Sequence, residues 1–347
     1  MKSEIVLITG VTGQDGALLA KFFVDQGKKV YGAFRKASSN NLWRLEHLRL
    51  LDKIVLVEHM IGQDQNLFDI LKRENFSEIY HLAGDSRTLD SFANVSYSIN
   101  TNINGTVEIL EGVRKFSQQS KVFIAGSAEI FDTHTSESST NLVDEDSLKG
   151  PQNPYGIACL TNKALVDLYR TYHNLNLCYG IMFNHESTLR GDGFVTKKIT
   201  KGLSNIKFNK GETLKLGNFG SMRDWSAAVD FVEAMALIGN AGLNEDFILA
   251  SGVMHHVRDI LTFAARALDF DPEFVGNNLQ EVCIDKNSGK ILAQSDPKFL
   301  RFYEENFICG DNSKLNRALG WKPTITFEDL ITEMTIYDAD NALKFGR

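Results

Sequence analysis

The stretch that decides the fold is Gly10-Val11-Thr12-Gly13-Gln14-Asp15-Gly16, which directly follows an apolar run that includes Ile5-Val6-Leu7-Ile8. After it, residues 17–23 place apolar side chains at helical spacing. A strand, a glycine turn and a helix in this order suit a dinucleotide pyrophosphate. Glycine lets the backbone approach the phosphates, and the helix N-terminus offers free N–H groups. The alternative is an ordinary strand-to-helix turn.

Segments that predict strands alternate with segments that predict helices through the first half of the chain. The predicted strands cover residues 4–9, 29–34, 54–58, 78–83, 121–125 and 177–183. The predicted helices cover residues 14–26, 64–73, 101–116 and 154–173. This alternation predicts an α/β fold with a Rossmann-type, doubly wound parallel sheet that binds ligands at the carboxyl ends of its strands.

The pattern becomes irregular after about residue 183, where Gly- and Asn-rich turns are frequent and helices are predicted only at 228–240 and 256–268. We therefore expect a dinucleotide-binding domain over residues 1–183. Residues 184–347 are expected to form mainly a smaller α/β substrate lobe that is partly interleaved with it. Because no Pro/Ser-rich linker separates the two parts, they are expected to share a rigid cleft.

Composition and charge argue against several classes of protein. The 347 residues carry a net charge of −7 with scattered basic residues, so neither nucleic acid nor a membrane surface is an expected partner. No apolar run approaches the roughly 18 residues of a spanning helix, and the N-terminal residues do not resemble a signal peptide. The four cysteines are far apart, which argues against a zinc site and favours reduced thiols in the cytoplasm. No metal site is predicted, and His255-His256 is interpreted as a pair of loop histidines.

The residues after the second predicted strand indicate which dinucleotide is bound. Proteins that bind NAD usually place an acidic residue there, where it bonds the ribose hydroxyls. This chain has Arg35 and Lys36 instead, followed by the hydroxyl of Ser38. Cations and hydroxyls suit the 2′-phosphate of NADP, which is the predicted cofactor. NAD stays the alternative if the two cations form only a solvated loop.

Several further motifs lie along nearly the whole chain. Besides the GxxGxxG spacing, they include Asn153-Pro154-Tyr155, Asn184-His185-Glu186-Ser187 and Arg223-Asp224-Trp225. On these motifs the chain resembles the extended short-chain dehydrogenase/reductase family and, more narrowly, the GDP-mannose 4,6-dehydratases. The resemblance implies a GDP-sugar substrate and a homodimer or homotetramer, the tetramer forming through the loop around Ser38–Arg44.

The resemblance also implies a role for each candidate site residue. Tyr155 is the expected phenolic base for the sugar 4-hydroxyl, Ser127 the hydroxyl that bonds the reacting oxygen, and Glu129 the carboxylate that moves the C5 and C6 protons. The residues expected around the dinucleotide are Gly10, Thr12, Gly13, Gln14, Asp15, Gly16, Arg35, Ser38, Leu82, Ala83 and Tyr155. Those expected around the nucleotide sugar are Ser86, Asn184, Lys198, Arg223, Arg301 and Glu304.

One position departs from the family motif Tyr-x-x-x-Lys, because Cys159 stands where the lysine is expected. The i, i+4 spacing places Cys159 on the same helix face as Tyr155. A lysine there would bind the nicotinamide ribose and lower the pKa of the phenol, whereas a neutral thiol supplies no positive charge. Lys163 lies one turn further on, about 6 Å along the helix axis, and is a poor replacement.

These residues leave three functional hypotheses. The first is a GDP-sugar 4,6-dehydratase-like enzyme, a lyase in deoxysugar or surface-polysaccharide precursor synthesis. The second is a nucleotide-sugar C4 dehydrogenase or epimerase, and the third is a catalytically weak GDP-sugar-binding subunit. Glu129 favours the first, because a simple oxidoreductase does not need that carboxylate. Cys159 favours the other two.

Overall fold

The strands and helices alternate along most of the chain. The structure, a computed structural model, describes residues 4–36, 41–62, 65–133, 142–277, 280–299 and 307–344. Its strands are β1 (Ile5–Thr9), β2 (Lys29–Phe34), β3 (Val55–Glu58), β4 (Glu78–His81), β5 (Lys121–Ala125), β6 (Leu142–Val143), β7 (Leu177–Met182), β8 (Asn184–Glu186), β9 (Leu214–Leu216), β10 (Met222–Ala227), β11 (Asp246–Leu249), β12 (Met254–His256), β13 (Pro272–Val275), β14 (Val282–Asp285), β15 (Ile291–Ser295) and β16 (Cys309–Gly310). Its helices are α1 (Gln14–Asp25), α2 (Trp43–His47), α3 (Asn66–Arg73), α4 (Thr88–Ala93), α5 (Val95–Phe116), α6 (Pro154–His173), α7 (Val195–Lys207), α8 (Ala228–Ala241), α9 (Val257–Arg266), α10 (Ser313–Leu319) and α11 (Phe327–Lys344).

Seven parallel strands form the central sheet, in the order β3-β2-β1-β4-β5-β7-β11. The strand order reverses between β1 and β4, which is where open α/β sheets bind their ligands. The strands are rich in Val, Ile and Leu because helices cover both faces of such a sheet. The predicted Rossmann-type sheet is confirmed.

The second half of the chain also contributes to this sheet. Its seventh strand, β11, pairs with β7, and α8 packs against α1, β4 and β5. The second half of the chain thus supplies a strand and a helix that lie beside strands of the first half. The division into a domain over residues 1–183 and a partly interleaved lobe over residues 184–347 stays a prediction.

A second hydrophobic cluster lies among α7, α9, α11 and two short sheets. We refer to the elements around this cluster as the smaller lobe. These sheets have the strand orders β12-β10-β8 and β13-β14-β15-β9. Trp225 stacks on Phe327 with ring centroids 5.5 Å apart, so α11 is anchored to β10. The strand β8 lies beside β10 and directly follows β7, so it joins the two lobes.

Helices α7 and α11 were not predicted, and they pack against each other in the structure. The face that α7 buries carries polar residues, among them Lys197 and Thr200. The Lys197 ammonium lies 2.6 Å from one oxygen of Asp338 on α11, and the Thr200 hydroxyl lies 2.7 Å from the other. The same face carries Ile199 and Leu203 at helical spacing, so an apolar signal for α7 was present and the sequence analysis missed it.

Among the residues that the structure describes, no helix has the length and apolar character needed to cross a bilayer. Within the same ranges, no group of three or more His, Cys, Asp or Glu side chains is arranged to hold a metal ion.

Candidate active site

The glycine turn between β1 and α1 lies against the loop that follows β4. Gly10 has a φ of +72°, a conformation that favours glycine. A Cβ at Gly10 would lie 2.8 Å from the backbone nitrogen of Ala83. Since Gly13 caps α1 and has no side chain, the first-turn N–H groups are not taken up by an N-cap side chain. The structure therefore brings Gly10 together with Leu82 and Ala83, as the resemblance implies.

The side chains of Gln14 and Asp15 bond to the smaller lobe. The Gln14 amide donates to the carbonyl of His185 over 3.1 Å and accepts a hydrogen bond from the Ser187 hydroxyl over 2.9 Å. The Asp15 carboxylate lies 2.9 Å from Nε2 of His185. Any contact of Gln14 with a dinucleotide would therefore use its backbone. This linkage between α1 and β8 was not predicted.

The cation predicted to select the dinucleotide lies on the surface at the end of β2. Arg35 is exposed, and its guanidinium donates to the Tyr97 hydroxyl over 2.6 Å. Thr12 lies in the glycine turn, and its carbonyl accepts a hydrogen bond from Arg44 over 3.1 Å. Arg44 also donates to the carbonyl of Leu189, so this part of the expected tetramer loop contacts its own chain. Ser38 lies outside the described residues.

The four residues predicted for catalysis, Ser127, Glu129, Tyr155 and Cys159, lie together where β5 meets the start of α6. Ser127 and Glu129 follow β5 in a single 3₁₀ turn, and Glu129 N–H donates to the Ser127 hydroxyl over 3.3 Å. Tyr155 is the second residue of α6, and the Ser127 hydroxyl and the Cys159 thiol lie close enough to its phenol to shift its pKa. The structure thus places a hydroxyl, a carboxylate, a phenol and a thiol in one cluster.

Asn153 holds this cluster together, and the sequence analysis did not assign it a role. Its side-chain oxygen accepts a hydrogen bond from Gly156 N–H over 2.8 Å, which caps α6, and its nitrogen donates to the Glu129 carboxylate over 2.6 Å. An Asn before a Pro at the first helical position is a signal for a helix start. The second hydrogen bond joins residues far apart in sequence.

Among the residues that the structure describes, no cation lies beside the phenol of this cluster. The Tyr155 side chain is partly exposed. Burial raises the pKa of the phenol well above its usual value, and the Cys159 thiol raises it further, while the hydrogen bond with Ser127 lowers it. Burial also raises the pKa of the Cys159 thiol to about 12. Both groups are therefore neutral at physiological pH.

Lys163 does not compensate for the missing ammonium. Its Nζ lies 2.7 Å from carboxylate oxygens of both Asp167 and Asp246. These two ion pairs hold it away from Tyr155, next to the seventh strand of the sheet.

Ser86 lies in the loop after β4, and its position depends on a residue of α5. The Asn102 side chain accepts a hydrogen bond from Asp85 N–H over 3.1 Å and donates to the Asp85 carbonyl over 3.2 Å. Ser86 itself is exposed. Asn102 therefore fixes the backbone beside Ser86. Like Asn153, it is a supporting residue that the sequence analysis did not predict.

Two candidate nucleotide-sugar residues lie on adjacent strands of the smaller lobe. Asn184 on β8 is exposed and pairs in register with Trp225 on β10. Arg223 precedes Trp225 by two residues, and its guanidinium lies 5.1 Å from the ring centroid of Phe307.

Lys198 is a further candidate for the nucleotide sugar, and it contacts a phenylalanine just before the segment that contains Arg301 and Glu304. Lys198, in the first turn of α7, has its ammonium 3.8 Å from the ring centroid of Phe299. Burial lowers the pKa of that ammonium. Arg301 and Glu304 lie outside the described residues, between the two phenylalanines that contact Lys198 and Arg223.

The sheet order, the glycine turn and the tyrosine at the start of α6 define an extended short-chain dehydrogenase/reductase. A sequence model described as GDP-mannose 4,6 dehydratase matches residues 7–334. The chain belongs to the GDP-mannose 4,6-dehydratase family, which confirms the resemblance inferred from its motifs.

Individual relatives agree with this assignment. A GDP-mannose 4,6 dehydratase of Drosophila melanogaster is 33% identical, over 98% of this chain and 87% of its own length. A GDP-mannose 4,6-dehydratase of Vibrio cholerae is 34% identical, over 96% of this chain and 93% of its own length. Among solved structures, a dTDP-glucose 4,6-dehydratase of Bacillus anthracis in complex with NAD superimposes with a TM-score of 0.79 at 17% identity, covering 99% of both chains. This last similarity shows the fold.

Proposed function

We propose that the protein is a lyase that removes water from a GDP-sugar, as a GDP-mannose 4,6-dehydratase does, with NADP as cofactor. The observation that carries the proposal is the Glu129 carboxylate, held by Asn153 beside Ser127 and Tyr155. A carboxylate next to a phenol supplies the second acid–base group that an elimination requires.

The residues at the glycine turn fit a dinucleotide. A side chain at Gly10 or Gly16 would overlap backbone atoms, so the turn is tight, and the exposed Gly13 lies at the start of α1. Arg35 and Lys36 at the end of β2 favour a 2′-phosphate, and therefore NADP, with NAD as the alternative. When bound, the nicotinamide of NADP supplies an acceptor and donor of hydride.

The chain's own residues would move the protons of the reaction. Tyr155 would accept the proton of the sugar 4-hydroxyl, and Ser127 would hydrogen bond to the same oxygen. Once C4 is a ketone, the C5 proton is acidic, and Glu129 would remove it and protonate the departing C6 hydroxyl. Addition of the hydride at C6 and of a proton at C5 would then give the saturated 4-keto-6-deoxy sugar. Asn153 would keep the carboxylate in place during both transfers.

The nucleotide end of the substrate would lie against the smaller lobe. Lys198 and Arg223 would pair with the diphosphate, because cations and hydrogen-bond donors match its charge. Asn184 is exposed on the neighbouring strand and is available to the same ligand. Arg301 and Glu304 are proposed from the family resemblance alone.

The direct test is to incubate the protein with GDP-mannose and NADP⁺ and to follow the sugar nucleotide by mass spectrometry. We expect a product lighter by one water. A product lighter by two hydrogens would indicate the C4 dehydrogenase, and an isomer of unchanged mass the epimerase. GDP-mannose that binds but is not converted would favour the binding-subunit hypothesis instead of the lyase.

One observation favours that last hypothesis, a catalytically weak GDP-sugar-binding subunit. Cys159 leaves the phenol without a neighbouring cation, and Lys163 is held by two aspartates. Such a subunit would bind GDP-mannose with the affinity of an enzyme while turning it over slowly or not at all.

A substitution in the glycine turn between β1 and α1 tests dinucleotide binding. Gly16→Ala is expected to destabilise the protein by about 1–3 kcal/mol, because the added methyl group overlaps the Gly10 carbonyl and must displace α1. The affinity of the Gly16→Ala variant for NADP⁺ should also fall. Thermal unfolding and NADP⁺ titration measure the two effects. Gly193→Ala is the control, since a Cβ there meets no atom within 4 Å. Equal behaviour of the two variants would contradict the prediction.

We further propose that the protein is a homo-oligomer in the cytoplasm, where it makes a precursor of deoxysugars or surface polysaccharides. The four cysteines are free, as expected for a reducing compartment. Helix α6, which packs beside α5, exposes Ile157, Leu168 and Tyr172 at helical spacing, and a second copy would cover this stripe.

Leu168→Glu is therefore expected to reduce the assembly to monomers, because it places a charge in the buried centre of the interface. Light scattering coupled to gel filtration measures the mass. Leu237→Glu on α8, a residue about equally exposed, should leave the assembly unchanged. An unchanged mass for Leu168→Glu would contradict this interface.

A further inference from the structure

A buried polar network joins the glycine turn to the smaller lobe. His185 on β8 is only 8% exposed and stacks on Phe231 with ring centroids 4.5 Å apart. Its Nε2 lies 2.9 Å from the Asp15 carboxylate, and its Nδ1 lies 2.7 Å from the carbonyl oxygen of Phe183. Asp15 is in the first turn of α1, where the dinucleotide pyrophosphate is proposed to bind.

The two hydrogen bonds define the protonation state of the imidazole. A carboxylate and a backbone carbonyl only accept hydrogen bonds, so both ring nitrogens must donate. A neutral imidazole has only one N–H group, whereas the imidazolium has two. The geometry therefore calls for a charged His185.

This charge matters because of where Asp15 lies. The N-terminus of α1 attracts a pyrophosphate through its N–H groups and its dipole. An uncompensated carboxylate in that first turn would repel the same anion. We propose that His185 is a positioning residue that stays protonated to neutralise Asp15, so that the turn keeps its affinity for the negatively charged dinucleotide. This inference rests on the dinucleotide site of the proposed function.

The other charged groups around His185 are already engaged. Arg190 lies 3.0 Å from the Glu186 carboxylate, and Arg44 donates to two backbone carbonyls. Asp230, next to Phe231 on α8, accepts hydrogen bonds from Thr324 and the following backbone. On β10, the residue in register with His185 is Ser226, which carries no charge. Two charges therefore act on His185: Arg190 opposes its protonation, and the closer Asp15 favours protonation more strongly.

The pKa shifts of the pair agree with the geometry. Burial lowers the pKa of His185, but the charge and hydrogen bond of Asp15 raise it more, so the net shift is upward. Burial raises the pKa of Asp15, but the charge and hydrogen bond of His185, with smaller contributions from the Gln14 amide and Arg190, lower it to about 2. A group with a raised pKa contributes its stabilisation fully below its usual pKa and loses it as the pH rises through the shifted value. Dinucleotide affinity should therefore fall as the pH rises through the raised pKa of His185.

The experiment measures the Kd for NADP⁺ alone, without sugar, between pH 6 and 9.5. The wild-type protein should bind about fivefold more weakly at the alkaline end. His185→Gln should show that weaker binding already at the acid end, and it should keep only the pH dependence of the ligand's own 2′-phosphate, whose pKa is about 6. Asp15→Asn should likewise keep only the pH dependence of the ligand but should retain the tighter binding. The double variant should bind like Asp15→Asn, because removing the carboxylate removes the need for the cation.

Two further measurements make the outcome decisive. The exposed His173→Gln should keep the wild-type pH profile. Proton–nitrogen NMR of the histidine side chains, with His185→Gln for assignment, should show His185 doubly protonated at pH 7. A neutral His185 at that pH, or a wild-type pH profile in His185→Gln, overturns the inference. Tight NADP⁺ binding without any conversion of GDP-mannose contradicts the proposed function and leaves the inference intact.

Discussion

Glu129→Gln is expected to stop water loss from GDP-mannose while leaving oxidation at C4 in place. The amide has the shape of the carboxylate and can still accept the hydrogen bond from Asn153, so the cluster should keep its geometry. It cannot take the C5 proton, however. Losing a positioned acid–base group costs about 10²–10⁴-fold in rate.

The two half-reactions are measured separately. Mass spectrometry should show little product, whereas the absorbance of reduced nicotinamide should rise after GDP-mannose is added, because the oxidised sugar cannot proceed. The exposed Glu212→Gln is the matched control and should behave as the wild type. Unchanged product formation by Glu129→Gln would exclude this carboxylate from the chemistry.

Cys159→Lys is expected to raise the rate of water loss by about tenfold or more and to move its pH profile toward lower pH. An ammonium beside Tyr155 stabilises the phenolate, and each unit by which the phenol pKa falls is worth about 1.4 kcal/mol. In the native cluster, burial and the neighbouring thiol both raise that pKa. The lysine should also tighten NADP⁺ binding through the nicotinamide ribose.

The control for this variant is Cys159→Met, which fills similar space without a charge. It separates the electrostatic effect from the change in packing, because Cys159 is only 3% exposed. Thermal unfolding of both variants reports whether the fold tolerates the longer side chain. A folded Cys159→Lys protein with neither a faster rate nor a shifted pH profile would mean that the thiol belongs to a different chemistry.

Helix caps and runs of apolar residues were enough to predict α6 and the strands in the first half of the chain. Helix α6 was predicted at its observed bounds, because Asn153 caps it, Pro154 begins it and Asn174 ends it in the left-handed conformation. The strands of the first half were predicted from runs of apolar residues. In contrast, α7 was missed although Ile199 and Leu203 recur at helical spacing. What could not be predicted is its buried polar contact, because Asp338, the partner of Lys197, lies far along the chain on α11.

The candidate site also has features that local motifs predict and features that depend on contacts between distant residues. Ser127, Glu129 and Tyr155 were proposed from motifs, and the structure brings them together. The support for them could not be predicted, because the hydrogen bonds of Asn153 to Glu129 and of Asp15 to His185 join residues from different elements. Such pairs depend on the fold as a whole, and a single sequence does not show which distant residues will be in contact.

The most direct measurement follows the hydrogen atom on C4 of the sugar. GDP-mannose labelled with deuterium at mannose C4 is incubated with the protein and NADP⁺, and the product is analysed by mass spectrometry and NMR. The proposed function predicts a product that has lost one water and carries the deuterium at C6. Deuterium that is released to solvent, or that stays at C4 of an unconverted sugar, would contradict it.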